Sequence, residues 1–187
     1  NQFRGPTGQG HAEWNDLPLK WNRKDSVDWK TELPGKAWSS PVMVESSLVL
    51  TNAIEAEGGL ALEVLALDSV TGRKEWSVTL FEHDDSPRIH KKNSHASPTP
   101  FYDGDRLFVH FGNLGTACLS TGGKVIWKKS FPYSPVHGSG SSPVVHGDLL
   151  LFSADGAKNP GLYALDKKTG EIKWKANRES EAKRKFS

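Results

Sequence analysis

Apolar residues in this chain come in short runs bounded by turn residues, and the runs recur. Leu48-Val49-Leu50, Leu107-Phe108-Val109 and the stretch from Leu149 to Phe152 are nearly continuous apolar segments. A Ser-Pro phrase precedes each one: Ser40-Pro41-Val42, Ser97-Pro98-Thr99 and Ser142-Pro143-Val144. Turn residues such as Asp103-Gly104-Asp105 and His146-Gly147-Asp148 separate phrase from run. Segments this short, flanked by Gly, Pro and Asp, predict strands. A run that is apolar at almost every position predicts a strand covered on both faces. No stretch sustains the 3.6-residue period of an amphipathic helix.

A second phrase follows each run. It reads Ala66-Leu67-Asp68, Thr71-Gly72, Trp76, and again Ala164-Leu165-Asp166, Thr169-Gly170, Trp174. A degenerate copy, Ala117-Cys118-Leu119-Ser120-Thr121-Gly122 with Trp127, lies between them. Each repeat therefore reads as four strands. The first carries Ser-Pro, the second is the apolar run, the third ends in Ala-Leu-Asp, and the fourth carries the tryptophan. Four antiparallel strands recurring every ~40–50 residues is the period of a propeller blade. The expected fold is all-β, with blades near residues 38–79, 95–129 and 138–177. In the first blade the strands are expected near 38–44, 47–53, 62–68 and 73–79.

Two further segments frame these blades. Val27-Asp28-Trp29-Lys30 looks like a fourth strand with no partners before it, the element that closes a propeller ring. Residues 1–26 fit no strand template and read as an N-terminal arm. Residues 27–187 then form an incomplete β-propeller, about three blades and an N-terminal closing strand. An unclosed propeller exposes strand edges and apolar surface, so self-association is expected as well.

The repeated residues have structural roles. The tryptophan buries a large apolar area, the glycine frees the turn backbone, and the aspartate accepts from turn amides. Function is expected in what does not repeat. The start of each first strand and the end of each second strand share one face. The loops that break the repeat, Glu55–Ala61, Leu80–Ser94 and Asp155–Gly161, open there too. Trp38 and His95 are placed near the channel mouth, with His110, His137 and Thr51 on the same face. Trp38, His95, His110 and His137 are the candidate ligand- or partner-binding residues. They read either as a binding funnel or as the hydrogen-bonded rim of a water-filled channel.

Composition narrows the chemistry. The formal net charge is only +2, which gives no field for nucleic acid. The cluster Arg178–Lys185 is interrupted by Glu179 and Glu181 and reads as a solvated linker. No apolar run approaches the ~18 residues of a membrane span, so no direct membrane insertion is expected. Cys118 is the single cysteine, so no intrachain disulfide forms, and it reads as a small buried hydrophobe. The histidines lack metal-site spacing. Gly138-Ser139-Gly140-Ser141-Ser142 leads into a strand and lacks the helix N-terminus of a phosphate cradle. No catalytic residues and no metal site are expected.

The Ala-Leu-Asp, Thr-Gly, Trp phrase resembles the pyrroloquinoline-quinone (PQQ)-like repeat. That repeat is found in quinoprotein alcohol dehydrogenases and in the outer-membrane assembly lipoprotein BamB, which this chain resembles most. The resemblance covers residues 29 to 177. It implies a non-catalytic periplasmic or cell-envelope scaffold that docks a protein partner through its loops, with outer-membrane protein assembly as the associated process. The alternative it implies is a PQQ-dependent dehydrogenase whose active site lies in missing blades. Such enzymes hold the quinone between a tryptophan and a disulfide of adjacent cysteines, beside calcium and an acidic base. One cysteine and no acidic cluster at the expected mouth argue against that site in these blades, and no cofactor is expected.

Overall fold

The structure, a computed structural model, describes residues 1–178 apart from 12, 14–17, 23 and 58. The basic stretch and the terminus beyond Arg178 lie outside the described residues. Among them the architecture is all-β, with one 3-10 turn at Gly112–Leu114. Twelve strands form three four-stranded antiparallel sheets in sequence order. The first sheet holds β1 (Val42–Val44), β2 (Ser47–Ala56), β3 (Gly59–Asp68) and β4 (Lys74–His83). The second holds β5 (Phe101–Tyr102), β6 (Arg106–His110), β7 (Thr116–Ser120) and β8 (Val125–Lys129). The third holds β9 (Val144–His146), β10 (Leu149–Ala154), β11 (Gly161–Asp166) and β12 (Ile172–Asn177). These are blades of a β-propeller, each a simple meander.

The core lies between the blades. Leu107 and Val109 of β6 pack with Val49, Leu62 and Val64 of the first blade, and Phe108 turns the other way toward Leu150, Phe152 and Tyr163 of the third. Period-2 alternation with both faces apolar is what the continuous runs encoded. The third cluster covers the outer side of blade one, where Trp29, Leu33 and Ala37 lie against Leu50, Leu65 and Leu67.

One contact repeats at each blade junction. The Trp76 and Trp127 indoles lie flat against Gly123 and Gly170, the turn glycines of the following blades; a Cβ there would stand 2.9 and 2.7 Å from the respective Cε3 atoms. A Cβ at Gly72 would overlap the Trp29 indole. All three glycines have positive φ (69°, 83° and 71°), so the turn needs glycine for backbone and for space. The Trp29 and Trp127 N–H groups donate to Ser69 O and Lys167 O, at 3.1 and 3.0 Å. In every blade a one-residue bulge sits beside the third-strand alanine or cysteine, at Ala66/Leu67, Cys118/Leu119 and Ala164/Leu165. The bulge adds local twist just before the tryptophan and aims it at the next blade.

Serine and threonine hydroxyls link the inner strands. Ser40 N–H donates to Thr99 Oγ1 at 3.1 Å, and Thr99 N–H to Ser142 Oγ at 3.0 Å. Ser39 and Ser141 Oγ accept from the Thr51 and Ser153 N–H groups at 3.1 and 3.0 Å. These hydroxyls replace ladder bonds that the neighbouring prolines cannot make.

Four details depart from the expectation. The strands that open the blades are short, starting at Val42, Phe101 and Val144, because Pro41, Pro98, Pro100 and Pro143 have no N–H to donate. The expected long loop Glu55–Ala61 is a tight hairpin: β2 and β3 pair from Ser47↔Asp68 out to Ala56↔Gly59. Glu55, Glu57 and Gly59 made the end of this ribbon look like loop, yet the ladder runs through Glu55↔Leu60 to Ala56↔Gly59, and Asn52 Nδ2 donates to Glu63 Oε1 at 2.9 Å within the ribbon. In the middle blade Gly123, not Gly122, is the counterpart of Gly72 and Gly170. Residues 27–30 form no strand ladder, although Trp29 takes the position of a fourth-strand tryptophan.

Burying an indole removes about 200 Å² from water, worth about 5 kcal/mol by area. Trp127 is 8% exposed and Trp174 is 42% exposed. Trp127→Ala is therefore expected to lower unfolding free energy in urea by about 3–5 kcal/mol, and Trp174→Ala by less than about 1.5 kcal/mol. Equal losses would contradict the assignment of the indole–glycine contact as the junction lock.

Candidate functional site

The loops that break the repeat gather at one end of the blades. Residues 84–100 join β4 to β5, residues 130–143 join β8 to β9, and residues 155–160 join β10 to β11. The opposite end carries short turns at 45–46, 103–105, 121–124 and 147–148. Asp68 and Asp166 close two further turns there by accepting from backbone amides and, at Asp68, from the Thr71 hydroxyl. Those hydrogen bonds hold both carboxyls below their ordinary pKa.

The long loop after β4 folds back over the blade tops. His90 N–H donates to His137 O at 3.2 Å, and Asn93 Nδ2 donates to the same carbonyl at 2.9 Å. The His90 and His137 rings lie 4.8 Å apart between centroids. Asn93 Oδ1 accepts from Ser97 Oγ at 2.6 Å and from Ser94 N–H at 2.9 Å. Ser94 Oγ donates to Lys36 O at 2.7 Å. The connection between blades one and two is thus stitched to the connection between blades two and three and to the segment leading into β1.

Two adjacent cavities follow from this stitching, sharing Pro87, Arg88 and Ile89 as a common wall. The outer groove, about 420 Å³, is lined among others by Lys36, Trp38, Glu55, Arg88, Ile89 and Lys91. The inner cavity, about 170 Å³, reaches His95, Phe111, Asn113 and Ser139.

The four candidate residues fall into different environments. Trp38 is 51% exposed and forms part of the groove wall. His95 is buried on the inner cavity, 3.4 Å from Ser86 Oγ. Burial pulls its pKa below the ordinary imidazole value, opposed by the Glu55 carboxylate. His137 is exposed at the loop crossing. His110 is wholly buried, stacked on Phe152 at 4.2 Å between centroids. Its Nδ1 and Nε2 pair with Thr116 Oγ1 at 2.8 Å and Tyr133 Oη at 3.2 Å, and burial drives its pKa down to about 3. Trp38 and His95 therefore share one region through adjoining cavities, with His137 at its edge, whereas His110 belongs to the inter-blade core. Thr51, also buried, donates to Ala96 O and Pro98 O at 3.3 and 3.2 Å.

Sequence reasoning passed over Lys36, Glu55, Ile89 and Asn93. Lys36 and Glu55 pair at 3.2 Å across the groove floor, a contact set by the unexpected length of β2. Asn93 carried a signal, since a lone amide between Lys92 and Ser94 suits loop-capping hydrogen bonds.

A family model described as outer membrane protein assembly factor BamB matches residues 62–186. The chain belongs to the PQQ-like repeat family of BamB. Among solved structures it is similar to BamB from Moraxella catarrhalis, at 20% identity and a TM-score of 0.51, over 80% of this chain and 39% of that one. It is also similar to quinohemoprotein alcohol dehydrogenase from Comamonas testosteroni, at 17% identity and a TM-score of 0.53, over 77% of this chain and 21% of the enzyme. Quinohemoprotein alcohol dehydrogenase ADHIIG from Pseudomonas putida HK5 matches at 16% identity and a TM-score of 0.55, over 80% and 22% of the two chains. At these identities the likeness is one of fold. The chain spans about two-fifths of the Moraxella BamB and about a fifth of each dehydrogenase. No curated protein sequence matches it.

The dehydrogenase likeness raises the question of a quinone and its calcium. The described residues do not fit them. No three His, Cys, Asp or Glu side chains converge among them. Cys118 is buried between blades two and three with its thiol pKa pushed up to about 12, far from the reactive range.

The buried imidazole has a consequence for stability. Its pKa in the folded chain is about 3, against about 6.5 unfolded. Below pH ~6.5 the unfolded chain takes up a proton that the folded chain refuses. Stability is thus full above that pH and falls by about 1.4 kcal/mol per pH unit below it. His95 adds in the same direction. Urea unfolding at pH 7.5, 6.0 and 5.0 should show this slope in the parent and a shallower one in His110→Gln, where the amide keeps hydrogen-bonding capacity without titrating. Identical slopes would contradict the assignment.

Proposed function

We propose that this chain is part of a non-catalytic propeller scaffold that binds a protein partner through the loop face centred on Trp38. The supporting observation is the groove itself. A half-exposed indole lines a cavity of about 420 Å³ built from segments that do not repeat between blades. Tryptophan at a concave, accessible position is the residue type that anchors protein interfaces. Residues 1–26 are proposed as an arm and residues 27–187 as the propeller part. Membership of the BamB family supports a place in the cell envelope and a role in outer-membrane protein assembly.

The site chemistry favours binding over catalysis. His95 lies 3.4 Å from Ser86 Oγ, where burial pulls its pKa down, His110 is core, and among the described residues no three His, Cys, Asp or Glu side chains converge. The wall residues offer an apolar surface with fixed charges around it, which suits recognition.

The face is tested by placing a photo-crosslinking amino acid at single positions in the source cell. Positions 38 and 91 on the loop face are compared with 74 and 124 on the turn face. Discrete adducts from the loop face, and weak or none from the turn face, are expected. Adducts confined to the turn face would overturn the reading.

A further inference from the structure

The charges of the outer groove are unbalanced, and the imbalance specifies a class of ligand. Lys36, Arg88 and Lys91 line it with a single carboxylate, Glu55. That carboxylate is already engaged by Lys36 Nζ at 3.2 Å. Arg88 and Lys91 make no ion pair among the described residues. Both are exposed, so neither is held against its own protein. Asp84 and Asp85 lie earlier on the same loop and do not line the groove. Two unpaired cations therefore face the opening. Beside them stand an indole that is 51% exposed and the side chain of Ile89.

A cleft with cations on one wall and an apolar shelf on another matches a ligand that carries both features. We infer that the groove binds an acidic peptide segment. Its carboxylates pair with Arg88 and Lys91 while an adjacent aliphatic or aromatic side chain lies on Trp38 and Ile89. Arg88 is suited to this by its planar fork of donors, which meets a carboxylate in two parallel hydrogen bonds. The volume of about 420 Å³ falls in the range of clefts that take a few side chains rather than a folded domain. Single-stranded nucleic acid also combines negative charge with flat rings. The groove's own carboxylate and the chain's small net charge of +2 disfavour a polyanion. The inference rests on the loop-face reading and adds the charge and chemistry of the partner segment.

The test uses the full chain and three fluorescein-labelled probes. One is a twelve-residue peptide with alternating Asp or Glu and Leu or Phe, the second has Lys at every acidic position, and the third is a dT oligonucleotide of equal length. Fluorescence anisotropy is read for the parent, for Trp38→Ala and for Arg88→Glu/Lys91→Glu, each first shown to keep the parent's circular dichroism and melting temperature. The acidic peptide should bind saturably, weaken at least tenfold in both variants, and weaken several-fold between 50 and 500 mM salt. The basic peptide and the oligonucleotide should bind at least tenfold more weakly. Because all three positions lie in surface loops, Lys91→Gln serves if the double reversal fails to fold, with a smaller loss in the same direction expected. Acidic-peptide binding that ignores the charge reversal, or equal binding of the basic peptide, would overturn the inference. So would tighter binding of the oligonucleotide. If crosslinks from positions 38 and 91 persist while the acidic peptide does not bind, the loop-face reading stands and only the acidic specificity fails.

Discussion

A tryptophan laid flat on a glycine turn joins each blade to the next, and the remaining geometry follows from that contact. The glycine must have positive φ to make the turn and no Cβ to admit the ring, so two demands fall on one position. The indole needs a partner for its N–H once buried, and the carbonyl three residues before the glycine supplies it at Trp29 and Trp127. A bulge in each third-to-fourth strand pair turns the ring toward its target. With this junction in place, the alternating side chains of the middle sheet meet a neighbouring blade on both faces and the inter-blade cores close. Trp29 extends the same scheme without a strand, which shows that the side-chain contact and not the ladder defines the junction.

What was legible in the sequence tracks this division. The Ala-Leu-Asp, Thr-Gly, Trp phrase was readable because its residues are specified by backbone geometry and recur unchanged. Where that geometry slipped by a residue, at Gly122-Gly123, the phrase misled, although the constant offset of four from glycine to tryptophan identifies Gly123. The length of the β2–β3 ribbon was not legible. Its outer end carries Glu55, Glu57 and Gly59, which read as loop, and only cross-strand pairing reveals a strand. The candidate residues divide in the same manner. Trp38 was found as an aromatic before a first strand, where no packing demand explains it. The burial of His110 was not legible, because it depends on Phe152 and Tyr133, distant in sequence and near only in the fold.

The functional face arises because the loops at one end escape the repeat. Turns at the other end are short and fully occupied with their own hydrogen bonds, as Asp68 and Asp166 show. The loop after β4 is long enough to reach the connection between blades two and three, and its crossing at His90, Asn93 and His137 leaves two cavities beneath. A rigid frame with irregular segments at one end is a general arrangement for recognition. Here it places fixed charges and one indole around an opening, while burial pulls down the pKa of the two imidazoles nearest the interior, His95 and His110.

The central claim is that repeated tryptophans build the frame and Trp38, outside the repeat, is left for contact. Hydrogen exchange of the indole N–H groups, resolved by nitrogen-15 NMR and assigned with Trp→Phe variants, tests this most directly. Trp29 and Trp127 donate to backbone carbonyls within the protein, whereas Trp21 and Trp38 are 73% and 51% exposed. The Trp29 and Trp127 signals should persist after transfer to deuterated water while those of Trp21 and Trp38 disappear at once. Exchange of Trp29 or Trp127 as fast as that of Trp38 would contradict the account.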